Sequence, residues 1–93
     1  MGWEFEWNEA KAESNYLKHR VTFDFAIGIF RNDRIEVDDD RHDYGERRII
    51  ALGETSGEVL TVIYTERHGR IRLISARRAG RHDRKKYYET FSR

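Results

Sequence analysis

Residues 59–88, VLTVIYTERHGRIRLISARRAGRHDRKKYY, constrain this chain more than any other stretch. Two strand-like runs, 59–65 and 70–77, are separated only by residues 66–69. So short a connection joins antiparallel strands, and Gly69 supplies the positive φ that a tight hairpin needs. The first run consists of the β-branched and aromatic residues that fit a pleated surface. Alternation places Leu60, Val62 and Tyr64 on one face and Val59, Thr61, Ile63 and Thr65 on the other. Both sets are largely apolar, so this strand is expected at the centre of a sheet covered on both sides. In the second run, Ile71, Leu73 and Ser75 are expected on one face and Arg70, Arg72, Ile74 and Ala76 on the other. A basic segment follows at residues 80–91, with Arg84, Tyr87, Tyr88 and Phe91 at helical spacing.

The charge is divided along the chain. Residues 67–93 hold ten Arg/Lys against two Asp/Glu, a formal +8, whereas residues 1–66 hold eight against fifteen, a formal −7. The near-neutral total of +1 hides this split, which points to a nucleic-acid partner or to an acidic protein covering the basic end. At 93 residues the whole chain, 1–93, is expected to form one small domain. Such a domain buries only about 60–65% of its unfolded surface, and the 13% aromatic content gives it weight where it counts. The absence of cysteine excludes disulfides and thiolate metal sites and is compatible with a reducing cytosol. No apolar run approaches the ~20 residues that span a bilayer, and MGWEFEWNE lacks the pattern of a signal peptide.

Taken in order, Trp3, Phe5 and Trp7 alternate with Glu4 and Glu6 as in a strand with one buried face. Asn8 is suited to cap a helix over residues 9–19, with Ala12, Tyr16 and His19 sharing a face. Thr22 is suited to cap a second helix, in which Phe23, Ala26, Ile27 and Phe30 form an apolar stripe interrupted by Gly28. Residues 34–38 read as an edge strand, 38–45 as a polar loop and 46–54 as another strand. The expected order is β-α-α-β-β-β-β-α, an α+β domain with a mainly antiparallel sheet.

Candidate site residues come from the basic end. Arg72, Arg77 and Arg78 offer the rigid donor forks that suit phosphate; the alternative is an ion-paired strand face answering the acidic N-terminal half. Arg81, Arg84, Lys85 and Lys86 extend that surface, and Tyr87 and Tyr88 can stack on bases or dock the helix. His42 has a side chain suited to proton transfer, although a solvated loop histidine is the plainer reading. Asp38, Asp39 and Asp40 resemble cation ligands only superficially, since consecutive acids diverge and no calcium-loop pattern surrounds them. GxSxG, P-loop, HExxH and dinucleotide-binding patterns are all absent. Arg93, at the chain end, is expected to matter little.

In order, the residues resemble the BrnT family, RelE-like toxins of type II toxin–antitoxin systems. The resemblance rests on Phe5-Glu6-Trp7-Asn8-Glu9 with Lys11, Asn15, and Lys18-His19 followed by Phe23 and Ala26. It continues through Gly45-Glu46-Arg47-Arg48 with Gly53, Val62-Ile63-Tyr64-Thr65-Glu66-Arg67, and Arg72-Leu73-Ile74-Ser75-Ala76-Arg77-Arg78-Ala79, ending with Arg84 and Tyr87. Gly80 and Asp83 depart from the expected Ser/Thr cap and its Glu partner. The resemblance implies a RelE-like domain and a cytoplasmic endoribonuclease that inhibits translation and growth. It also implies a cognate antitoxin with a ribbon-helix-helix part, through which alone operator DNA is bound. Neither metal, cofactor nor membrane enters this reading.

The chemistry this implies is attack by a ribose 2′-OH on the adjacent phosphate. Arg77, then Arg72 and Arg48, are expected to stabilise the phosphorane, with His42 or Lys85 for proton transfer. Arg67, Arg70, Arg78, Arg81, Arg84 and Tyr88 are expected to bind RNA. Two other readings compete: a non-catalytic nucleic-acid-binding module using the same basic face, and a protein-interaction domain docking an acidic partner.

Overall fold

The hairpin forms and occupies the middle of the sheet in the computed structural model, which describes residues 2–92. Arg93 lies outside the described residues. Strands β4 (Glu58–Arg67) and β5 (Arg70–Arg78) pair antiparallel through a turn in which His68 and Gly69 both take positive φ. On the far side of β4 runs β3 (Ile49–Thr55), and beyond it the edge strand β2 (Arg34–Asp38). The other edge is β1 (Phe5–Glu6), parallel to β5, with Phe5 opposite Ile71 and Glu6 opposite Arg72. The sheet thus has five strands, four of them in an antiparallel run.

β1 is shorter than the Trp3–Trp7 alternation predicts. Asn8 ends it, because its side chain accepts from the Lys11 N–H as the N-cap of α1 (Glu9–His19). The predicted second helix splits into α2 (Phe23–Ala26), capped by Thr22, and a 3-10 turn, Ile27–Arg31. Gly28 belongs to that tighter turn, where a Cβ would collide with the Thr55 side chain. The chain closes with α3 (Arg81–Thr90), whose N-cap Gly80 supplies no side-chain hydrogen bond.

The faces of β5 require a correction. Ile63 lies opposite Ser75 but Tyr64 lies opposite Leu73, so Ile74 is an extra residue. A bulge reverses the alternation beyond it. Ala76 therefore joins Ile71 and Leu73 in the core, and Ser75 moves to the opposite face.

Docking of α1 also differs from expectation. Its buried residue is Asn15, while Tyr16 is 42% exposed. The Asn15 amide donates to Val21 O at 3.1 Å and Ala76 O at 2.8 Å, and its oxygen accepts from Ala76 N at 3.0 Å. β1 stops at the level of Arg72, so the outward N–H and C=O of Ala76 have no strand to pair with. Asn15 takes both, as a neighbouring strand residue would.

Helices cover both faces of the central strand. On one, Val21, Phe23, Ala26, Ile29 and Phe30 pack against Leu60, Val62, Tyr64 and Leu73. On the other, Leu52, Val59, Ala79 and Tyr87 form a smaller core with Ile35 and Phe91. Toward the other end of that second face Thr65 is buried, its hydroxyl donating to Arg47 O at 2.6 Å, while Arg72 stays partly exposed.

Candidate functional site

Beside Arg72 lies a cavity of about 170 Å³ lined by Asn8, Lys11, Glu46, Arg48, Arg67, Arg72, Leu73 and Ile74. Strand register assembles it. Arg72 lies opposite Thr65 on β4 and opposite Glu6 on β1, so a guanidinium and a carboxylate share one face. Their N–O distance is 3.1 Å. Arg48 immediately precedes β3, and Arg67 ends β4. Between them stands Glu46, which accepts from Arg48 Nε at 3.1 Å and from an Arg67 Nη at 3.0 Å. These donors, Arg67 first and then Arg48, hold the Glu46 carboxyl below the usual carboxylate range.

Arg48 is fixed from a second side. Its guanidinium lies 4.0 Å from the centre of the Tyr44 ring, within the range of a cation–π contact. The Tyr44 hydroxyl donates to Asp39 Oδ2 at 3.2 Å. Asp39 is buried and also accepts from Arg41 Nε at 2.7 Å and an Arg41 Nη at 2.9 Å. Its carboxyl is accordingly lowered to about 2, with the Arg41 hydrogen bond the largest cause and burial opposing it.

Of the five residues predicted to carry chemistry, Arg48 and Arg72 meet in this cavity; Arg77, His42 and Lys85 do not line it. Arg77 pairs in register with Thr61, on the same face as Arg72. Their partners on β4 are four residue steps apart, roughly 13 Å at the usual strand rise. His42 is exposed in the loop and meets the Tyr44 ring edge-on at 5.6 Å. Lys85 is exposed on α3.

Among the residues predicted to bind RNA, Arg67 lines the cavity. Arg70 instead pairs with Glu4 at 3.1 Å, and Arg78 pairs with Glu58. The hairpin arginines are thus largely ion-paired with carboxylates of the acidic half. Arg84 donates to Ala79 O at 2.9 Å, and Tyr88, 47% exposed, donates to Glu54. Among the described residues, Arg77, Arg81, Lys85 and Lys86 have no carboxylate partner. The acids at 38–40 diverge: Asp38 pairs with Arg47, Asp39 turns inward and Asp40 is exposed.

A larger groove of about 490 Å³ runs between α1 and α2, lined by Trp7, Glu9, Glu13, Tyr16 and Asp24 among others. Its acidic wall repels a polyanion, so its size does not make it the better site. Glu6, Glu46, Tyr44 and Asp39 were not picked out by sequence reasoning as parts of a site. The available signals were the Glu4/Glu6 alternation beside a basic hairpin and the Glu46/Arg48 alternation ahead of β3.

Among the described residues, no helix is long and apolar enough to cross a membrane. No curated protein matches the chain. A family model described as the ribonuclease toxin BrnT of type II toxin–antitoxin systems matches residues 7–83. That span takes in Glu46, Arg48, Arg67, Arg72 and Arg77 and leaves out Glu6 and most of α3. The chain belongs to the BrnT family, the ribonuclease toxins of type II toxin–antitoxin systems.

Proposed function

We propose that the cavity between Arg48, Arg67 and Arg72 is where this toxin cleaves RNA, without a metal, by attack of a ribose 2′-OH on the adjacent phosphate. The new bond joins O2′ to phosphorus and the bond to O5′ breaks, leaving a 2′,3′-cyclic phosphate and a 5′-OH end. One proton leaves O2′ and one reaches O5′. The observation that carries this reading is a set of three guanidiniums oriented by carboxylates, Arg67 and Arg72 on strands β4 and β5 and Arg48 at the residue that leads into β3. Rigid elements hold transition-state geometry better than loops do, and preorganised cations aimed at developing charge are usually the largest catalytic contribution.

In the resting site the guanidiniums are occupied by Glu6 and Glu46. An entering phosphate competes for the same forks, which fit phosphate as well as carboxylate. Glu46 then loses the contacts that hold its pKa down and becomes the better proton acceptor for O2′. Lys11, also on the cavity wall, is placed to donate to O5′. His42 stands one ring away across Tyr44, and Lys85 belongs to α3. Arg77, with Arg81, Lys85 and Lys86, is assigned to flanking phosphates. A cognate antitoxin is the partner of a type II toxin; a ribbon-helix-helix part in it, operator binding through it, translation inhibition and action in the cytoplasm belong to the proposal.

The test is cleavage of an oligoribonucleotide by the purified chain in EDTA, with the product ends identified. The proposal expects 2′,3′-cyclic phosphate and 5′-OH ends. Loss of cleavage in EDTA, or 3′-OH ends, would overturn it. Salt-dependent binding with no cleavage would favour the nucleic-acid-binding module instead.

A further inference from the structure

Residues 39–48 form the most polar segment of the chain, with no aliphatic side chain to anchor them. Yet this segment delivers Arg48 to the cavity, so something else must hold it. Two contacts from Asp39 do so. Its backbone N–H donates to Arg48 O at 2.8 Å, and its side chain accepts from the Tyr44 hydroxyl. Gly45, at φ +72°, turns the chain back between Tyr44 and Glu46, which lets the Tyr44 ring lie against the Arg48 guanidinium. Arg41 neutralises the buried Asp39 through two hydrogen bonds.

The geometry points to Tyr44 as a positioning residue that sets where the Arg48 guanidinium sits, with Asp39 as its anchor. The inference rests on the proposed cleavage site at Arg48. A second use for the ring, stacking on a nucleobase, is disfavoured because the ring already serves Arg48 and meets His42 edge-on. Tyr44 touches no reacting atom in this account. It acts through Arg48, restricting a long side chain that would otherwise sample many rotamers. Its loss therefore falls on the cleavage step more than on RNA affinity.

The experiment is single-turnover cleavage of an oligoribonucleotide at saturating protein, for Tyr44→Leu, Tyr44→Phe, Arg48→Ala and the double variants. Tyr44→Leu is expected to slow cleavage about tenfold, the scale of a partly buried cation–π contact, while RNA affinity changes by less than about twofold. Tyr44→Phe keeps the ring but loses the Asp39 anchor, and is expected to slow it about threefold. Neither change should slow cleavage further in the Arg48→Ala background, because the pair acts as one unit. Wild-type rates for Tyr44→Leu, or equal slowing with and without Arg48, would overturn the inference. Should Tyr44→Leu not fold, Tyr44→Phe decides on the same criterion of slowing only when Arg48 is present. An Arg48→Ala protein that cleaves at the wild-type rate overturns the cleavage site and the inference together. A slow Arg48→Ala beside a fast Tyr44→Leu overturns only the inference.

Discussion

The two basic regions of this toxin differ in what their cations touch. In the cavity, Arg48, Arg67 and Arg72 each hold a carboxylate within about hydrogen-bond reach, at 3.0–3.1 Å. At the end of β5 and along α3, Arg77, Arg81, Lys85 and Lys86 face solvent with no carboxylate partner among the described residues. The same charge does different work in the two places. A paired guanidinium on a strand gives up rotamer freedom in advance and presents its fork in one orientation. An unpaired cation on a helix surface attracts a polyanion over roughly a Debye length, about 8 Å at physiological salt, with little orientation. The cavity suits chemistry on one phosphate, and the α3 surface suits the capture of many.

That contrast is most exposed to test in the arginines of the shared sheet face. Arg48→Ala or Arg72→Ala is expected to lower the single-turnover cleavage rate by about a hundredfold or more, the usual loss for a preorganised donor. Arg77→Ala is expected to cost only a few-fold, chiefly in RNA affinity. The reverse ranking, with both proteins folded, would assign the chemistry to the end of β5.

Asn15 anchors β5 from the other side, at the point between those two regions. Asn15→Ala leaves the N–H and C=O of Ala76 and the C=O of Val21 buried without their partner. Each unsatisfied group costs on the order of 1–3 kcal/mol, so denaturant unfolding should report a loss of about 2–4 kcal/mol. A loss below about 1 kcal/mol would mean that the helix docks by apolar contact alone.

Smaller in free energy is the effect on salt dependence. Replacing Arg81, Lys85 and Lys86 with Gln should reduce the slope of log affinity against log salt by about 2, at ~0.7 per phosphate contact on single strands. A slope unchanged by the triple substitution would remove α3 from the RNA surface.

The smallest expected effect is in acid. The Asp39 carboxyl lies at about 2 and that of Glu46 below its ordinary value, whereas unfolded carboxyls titrate near 4. Both therefore add stability that is complete above about pH 4 and is lost as pH falls toward 2. Amide exchange in residues 39–48 should stay level from neutral pH to about 4, after correction for the intrinsic rate, and rise below it. Loosening of this loop between pH 7 and 5 would contradict the pairing described.

Much of this fold could be read in the sequence because its strongest signals are local. The hairpin, the caps at Asn8 and Thr22 and the edge position of β2 all follow from neighbouring residues. The bulge at Ile74 does not, because inserting one residue changes the face of Ala76 without changing any local preference. Asn15 was also opaque as a core residue: a polar side chain inside a helix reads as solvent-facing unless its partner, 61 positions away, is known. The site divides in the same way. Opposed charge halves were visible, and so was the prospect of an ion-paired strand face. Which acids met which arginines was not, since Glu6 meets Arg72 across 66 positions through a parallel two-residue strand. Arg77 came first among the candidates because it closes the second hairpin strand, and it does lie near the end of β5, opposite Thr61.

The most direct measurement follows the arginine Nε–H signals by NMR as a 2′-deoxy oligonucleotide, which cannot be cleaved, is added. If the cavity is the cleavage site, Arg48 and Arg72 should shift most and with saturation, as their forks leave Glu46 and Glu6 for a phosphate. Arg77 and Arg81 should shift less and respond more to salt. Large, saturable shifts confined to Arg77 and Arg81, with Arg48 and Arg72 unmoved, would contradict the account.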